Sequence, residues 1–234
     1  MKIDHNDTSF YNFLTSPNSL FRHLTDEELE SLPFGRAPEF HKRGTILYNE
    51  GSRISGFYWI QSGIIKIYKT GVDGKEQIIR FAKPCDIIGF RSVLSNELAC
   101  TSAKVIEDSK NYFVPAENLI FLVKNNGNFS MDIIRLTCKE LEEANSYITD
   151  IAQKTVRERL AEILIHLKNN FDLDKVNFLQ INLTREELAN MVGTATESVI
   201  RLLSEFKHDG IIELHGRKIK ILDIKSLTRL ASIF

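Results

Sequence analysis

Residues 183–206, LTREELANMVGTATESVIRLLSEF, place charged and hydroxyl side chains at helical spacing beside an apolar stripe. Val199, Leu202, Leu203 and Phe206 recur at i, i+3, i+4 and i+7, so a helix starting at Thr196 buries one side. Its opposite side carries Glu197, Ser198, Arg201 and Glu205. Upstream, Thr184 and Glu187 have the spacing of a capping box, which satisfies orphan amides where a first helix begins. Leu188, Met191 and Val192 give that helix its own apolar side, and Gly193-Thr194-Ala195 is a turn with glycine where the helix must stop. Ala189, Gly193 and Val199 are spaced as two closely crossing helices require. The pattern predicts a helix-turn-helix rather than a plain helical hairpin with a solvated face. The next stretch strengthens it: in IIELHGRKIKIL two short apolar runs flank His215-Gly216, and Arg217, Lys218 and Lys220 crowd this hairpin. Cationic donors on such a wing suit phosphate contacts.

Other elements must hold that segment. At 234 residues the chain suits two modest domains, and 43% hydrophobic with 26% charged residues suits a soluble globular protein. Net charge is −1, and the part from Thr155 onward carries 12 Lys+Arg against 11 Asp+Glu, so any field for nucleic acid is local. Three scattered cysteines, Cys85, Cys100 and Cys138, include no C-x-x-C pair. The start, MKIDHNDTSF, lacks a signal-type apolar run, and no stretch reaches the length of a membrane span, so a cytoplasmic setting is expected.

In chain order, Thr25 and Glu28 form a capping box for a short helix ended by Pro33. From Glu39 to Pro115 short β-rich runs alternate with glycine turns: FHKRGTILY, GFYWIQSGIIKIYK, GKEQIIRFA, CDIIGF and CTSAKVIEDSKNYFVP. They predict a small β-barrel, sandwich or roll, with Val72-Asp73-Gly74 at a hairpin tip. Phe57, Tyr58 and Trp59 either line a ligand cavity or simply pack. After Pro115, ENLIFLVKNN reads as a helix, and a long helix runs from 128 to 154. On it Ile134, Leu141 and Ile148 make one row and Thr137, Ala144 and Ile151 a second, an a/d seam for a partner copy over roughly three heptads. Phe129, Ile133 and Leu136 offer a second apolar side. Thr155 with Glu158 is another capping box, so a new helix begins there and the chain bends near Lys154. Residues 171–182 read as a loop with a short strand, and DIKSLTRLASIF as a closing helix.

This order resembles the Crp/Fnr family of bacterial transcription regulators, from about Leu20 to the end. KRGTILYNEG, YWIQSGIIKIYK, GKEQIIRF, DIIGF and LTREELANMVGTATESVIRLLSEFKHDGII carry the resemblance. It implies an α+β fold: a cyclic-nucleotide-binding-like β-roll (jelly roll) sensor over 1–127, a dimerisation helix and hinge over 128–154, and a winged helix-turn-helix over 155–234. It also implies a homodimer on a two-fold operator in double-stranded DNA, with RNA polymerase as a further partner and no membrane.

Glu197 and Arg201 match the family's E-x-x-x-R, in which the acid accepts from cytosine N4 and the arginine donates to guanine. The geometry agrees, because i and i+4 share a face and a guanidinium fits guanine O6 and N7. Thr196 and Ser198 flank them, and Thr196 stands where cyclic-AMP-responsive members carry another arginine. Thr184, Arg185 and Lys218 match phosphate-contacting positions. For Arg201 the plain alternative is a surface ion pair with Glu197 or Glu205.

The effector residues implied are Gly89, Phe90, Arg91, Ser92, Thr101, Ser102 and Asn145. Here the family's glycine-glutamate pair is Gly89-Phe90, its arginine-serine pair is Thr101-Ser102, and its threonine-serine pair is Ala144-Asn145. Those departures argue against cyclic AMP, while Arg91 keeps an anionic ligand open. The missing cysteine cluster argues against an iron–sulfur centre, and His5, His23 and His41 leave haem or a gas ligand open. Two other classes stand against a regulator: a cyclic-nucleotide-type module acting on a protein partner, and an enzyme. No nucleophile–base pair, metal-ligand spacing or P-loop favours the enzyme; Asp73-Gly74-Lys75 is a turn.

Overall fold

The computed structural model describes Tyr11, residues 14–17 and residues 19–231. They divide into two compact units: one runs to Glu142 apart from Lys75–Gln77, and the other takes Lys75–Gln77 with Glu143 onward.

In the first unit, α1 (Asp26–Glu30) begins at Thr25, whose hydroxyl accepts from the Glu28 amide while the Glu28 carboxylate accepts from Thr25 N. After a 3₁₀ turn at Pro33–Gly35 come β1 (Glu39–His41), β2 (Ile46–Tyr48), β3 (Gly56–Thr70), β4 (Glu76–Ala82), β5 (Ile87–Ile88) and β6 (Ser102–Pro115). These six strands form one sheet ordered β1-β6-β3-β4, with β2 on β6 and β5 on β3. It is open, not the closed barrel that glycine-punctuated strands also allow.

Long β3 and β6 run antiparallel from Gly56 opposite Pro115 to Tyr68 opposite Ser102, and the register slips between Ile60 and Ile65. Each slip changes which residues face which side. Phe57 and Trp59 therefore enter one core with Phe21, Phe34, Tyr112 and Phe129, whereas Ile60, Ile65 and Ile67 enter another with Ile88, Ala103 and Val105. Phe34 lies 5.2 Å from both Trp59 and Tyr112, edge to face. Phe57 and Trp59 are core packing, not a cavity wall, and Tyr58 points the other way against Phe113.

One expected strand run is corrected. CDIIGF stops as a strand after Ile88, because Gly89 turns left-handed (φ 86°) and starts α2 (Phe90–Ser95). Phe90 and Val93, one helical turn apart, then bury into the aromatic core.

Helix α3 (Ala116–Asn125) leads into α4 (Gly127–Gln153), whose 27 residues span ~40 Å. Its two apolar sides have different fates. Phe129 and Ile133 are buried in the aromatic core with Leu136 against it, but Ile134, Leu141 and Ile148 are 53%, 61% and 66% exposed. Within the first unit, Ile134 and Leu141 are therefore left off the aromatic core.

The second unit is set by caps. At the bend, Thr155 N donates to the Glu158 carboxylate (2.7 Å) and Glu158 N to the Thr155 hydroxyl, starting α5 (Val156–Phe171). Lys154 spans Asp150 at 2.8 Å and Glu162 at 2.7 Å. Burial works against the Lys154 charge, but those carboxylates outweigh it and raise its pKa. Residues 172–182 form a loop with bridges from Leu173 to Leu179 and from Phe178 to Lys220. A Thr184 capping box opens α6 (Arg185–Val192), and α7 (Thr196–His208) follows. The hairpin β7 (Ile212–His215) and β8 (Lys218–Ile221) turns through Gly216, and Asp223 caps α8 (Ile224–Leu230).

Gly193 has φ 72°, and a Cβ there would lie 3.2 Å from the Tyr147 hydroxyl. Gly193→Ala should therefore cost the second unit about 1–2 kcal/mol through the left-handed backbone alone. Chemical denaturation followed by hydrogen exchange at α6 and α7 amides checks it; unchanged protection there would refute it.

Candidate nucleic-acid interface

The surface built by α6, α7 and the wing starts from what those elements bury. Val199, Leu202, Leu203 and Phe206 of α7 are buried, as are Leu188, Met191 and Val192 of α6. Burial of that stripe forces Glu197, Ile200, Arg201 and Ser204 outward, and all four are exposed. Thr196 and Ser198 flank them, half-buried.

Among the described residues the Glu197 side chain makes no hydrogen bond or ion pair, so its carboxylate is open to a donor from outside. Arg201 is 67% exposed and donates to Glu205 Oε1 at 2.7 Å. The arginine pairs with Glu205 one turn on, not with Glu197.

Glu205 serves a second cation. Arg157 of α5 donates to Glu205 Oε2 at 2.6 Å and to Asp209 at 2.8 Å, with its guanidinium 4.9 Å over the Phe206 ring. Arg159 donates to the carbonyls of Lys154 (2.8 Å) and Val192 (3.0 Å), tying the bend to the end of α6. Sequence reasoning missed this pair of arginines. Their only local signal is an R-x-R spacing directly after the Thr155 cap.

The expected phosphate contacts are not equivalent. The Thr184 hydroxyl accepts from Glu187 N, so as a cap it is already engaged. Arg185 donates to Gly216 O at 2.8 Å, pinning the wing turn to the start of α6, and burial lowers its pKa. Lys218 and Arg217 stand exposed at the wing tip. Lys220 lies 3.7 Å from Glu213, which also faces His215 at 2.7 Å.

The expected effector residues lie elsewhere. Phe90 is core, Ser92 and Thr101 are buried, and the buried Ser102 hydroxyl accepts from Glu50 N at 2.8 Å. Burial pushes the Tyr48 phenol up to about 12, with a Thr101 hydrogen bond acting against it. Arg91 meets Glu140 of α4 at 3.3 Å and Cys100 Sγ at 3.4 Å. The same Glu140 carboxylate meets Arg80 of β4 at 3.0 Å. Arg80 also lies 3.7 Å from Asp86, so these two guanidiniums face two carboxylates of their own unit. Asn145 is exposed on α4, and it belongs with the second unit. His23 sits by Arg22 and Asp132, and His41 by Glu39 and Tyr58; His5 lies outside the described residues.

The chain is similar to known proteins in sequence and fold. Residues 158–230 match the Crp-like helix-turn-helix domain, and residues 38–126 the cyclic nucleotide-binding domain. The chain is 31% identical over 191 residues to the anaerobic regulatory protein of Bacillus subtilis, covering 80% of this chain and 79% of that protein. It is 28% identical over 211 residues to the transcriptional activator protein Anr of Pseudomonas aeruginosa, covering 89% and 86%. Among solved structures, FixK2 from Bradyrhizobium japonicum superposes with a TM-score of 0.74 at 23% identity, covering 82% of this chain and 95% of that one.

Arg157→Ala should destabilise the second unit by about 1 kcal/mol, since its bonds are charge-assisted but partly exposed. A double-mutant cycle with Glu205→Gln, read by denaturation, should give a non-zero coupling; strict additivity would show that the short Arg157–Glu205 contact contributes nothing.

Proposed function

The chain belongs to the Crp/Fnr family of transcription regulators, and on that premise we propose that two copies, joined along α4, read an inverted repeat in double-stranded DNA. DNA-binding regulation of transcription is the function. The observation that carries the reading is the outward face of α7, where Glu197 is unpartnered and Arg201 is held only by an exposed ion pair. A carboxylate and a guanidinium one turn apart address cytosine N4 and guanine O6/N7 of one G·C pair. Lys218 and Arg217 on the wing supply phosphate contacts that fix position without reading sequence.

Pairing follows from α4. Ile134, Leu141 and Ile148 form an exposed row at heptad spacing, and an apolar row of that kind is covered by a second copy of itself. Two recognition helices then sit ~34–36 Å apart, in successive major grooves of an operator with matching two-fold symmetry. The N-terminal unit senses an effector or state, and the bend at Lys154–Thr155 passes the change on. The setting is the cytoplasm, with RNA polymerase as protein partner.

Arg201→Ala should relax preference at one G·C pair per half-site in selection from random duplexes; an unchanged motif would overturn the assignment. Lys218→Ala should weaken all sequences alike and reduce the salt slope by about 1 for each phosphate it no longer neutralises. Leu141→Asp should convert the protein to monomer in sedimentation at micromolar concentration, with operator affinity falling about 100-fold or more as the two half-sites uncouple. A dimer that survives that substitution would rule out the α4 seam.

A further inference from the structure

On the outward face of α7, Ile200 is the one exposed apolar side chain, 49% accessible, among Glu197, Arg201 and Ser204. A single exposed isoleucine on a protein surface ordinarily carries no meaning. Its position gives it one here. At ~100° per residue, Ile200 lies about 60° to one side of Glu197 and Arg201 about 40° to the other. The three side chains therefore share one groove-facing strip. Ser204, next along it, donates its hydroxyl to Ile200 O at 3.0 Å, so that donor is already engaged by the helix backbone. Beside the carboxylate–guanidinium pair, the strip thus presents an aliphatic group where a polar side chain could otherwise hydrogen-bond a base edge.

The major-groove edge of DNA carries one apolar feature, the C5-methyl of thymine. We propose that Ile200 reads that methyl, on a thymine in a base pair flanking the G·C pair addressed by Glu197 and Arg201. The inference rests on the DNA-reading function proposed above and adds a second specified position to the half-site. Two effects act together. Packing the Ile200 side chain on the methyl removes apolar surface from water. Cytosine at the same place has only a hydrogen on C5, so the aliphatic side chain loses its packing partner and the dispersion contacts with it.

The test uses the full-length protein and a duplex recovered by selection from random DNA. Each thymine is replaced in turn by deoxyuridine, which keeps every hydrogen-bonding group and removes only the methyl. For the unmodified protein, one thymine in each half-site should be sensitive, with affinity falling about 4-fold per half-site, the effect of one buried methyl-sized group. Ile200→Ala should bind thymine and deoxyuridine duplexes equally at that position, while Ile200→Val keeps most of the difference. Replacing that thymine by 5-methylcytosine should lose less affinity than replacing it by cytosine. Indifference of the unmodified protein to every deoxyuridine, or full sensitivity retained in Ile200→Ala, would overturn the inference while leaving DNA reading intact. Failure to select any duplex at all would overturn the function itself, and the inference with it.

Discussion

Everything the second unit presents to the outside depends on one face of α7 being taken out of water. Val199, Leu202, Leu203 and Phe206 are each almost wholly buried, and each such side chain contributes roughly 1.5–3 kcal/mol relative to exposure. Rotating the helix by half a turn would expose that stripe and bury Glu197 and Arg201 without partners, which costs more than any surface contact returns. The apolar side therefore sets the direction of the polar one. Arg157 adds a directional lock, since its planar fork engages Glu205 and Asp209 while covering the Phe206 ring.

The bend between α4 and α5 is equally determined by local chemistry. A residue at an N-cap has extended backbone, so Thr155 ends one helix and begins the next in a single step. Lys154 and Arg159 then fasten the corner from both sides, through Asp150 and Glu162 and through the carbonyls of Lys154 and Val192. Changing the angle of this corner would break several charge-assisted bonds at once.

Much of this is legible in the chain because it is local. The three capping boxes at Thr25, Thr155 and Thr184 need only a residue pair three apart, and all three form. The two apolar sides of α4 are visible as two rows, though which row stays exposed is decided by Phe129 and Ile133 meeting the aromatic core. What stays hidden spans distance. Arg157 meets partners 48 and 52 residues away, and Arg80 and Arg91 converge on Glu140 through folding, not through spacing. The shifts between Ile60 and Ile65 are hidden too, because period-two alternation carries no mark of the residue that will bulge. Of the expected effector residues, Phe90 shows the same limit: its place after Gly89 in the sequence says nothing of its burial, which results from the turn made by Gly89.

The carboxylate of Glu205, shared by Arg157 and Arg201, bears on how the protein meets a duplex. A long arginine side chain free in solvent samples many rotamers, and fixing them on contact subtracts up to ~2 kcal/mol from whatever the contact yields. Here Arg201 is already drawn toward one turn of its own helix. On the proposed reading Arg201 would leave Glu205 for a guanine edge, and Glu205 would keep Arg157 as counter-ion, so the exchange would strand no charge. The Arg201–Glu205 bond is solvent-exposed and contributes little to stability, so giving it up would cost little.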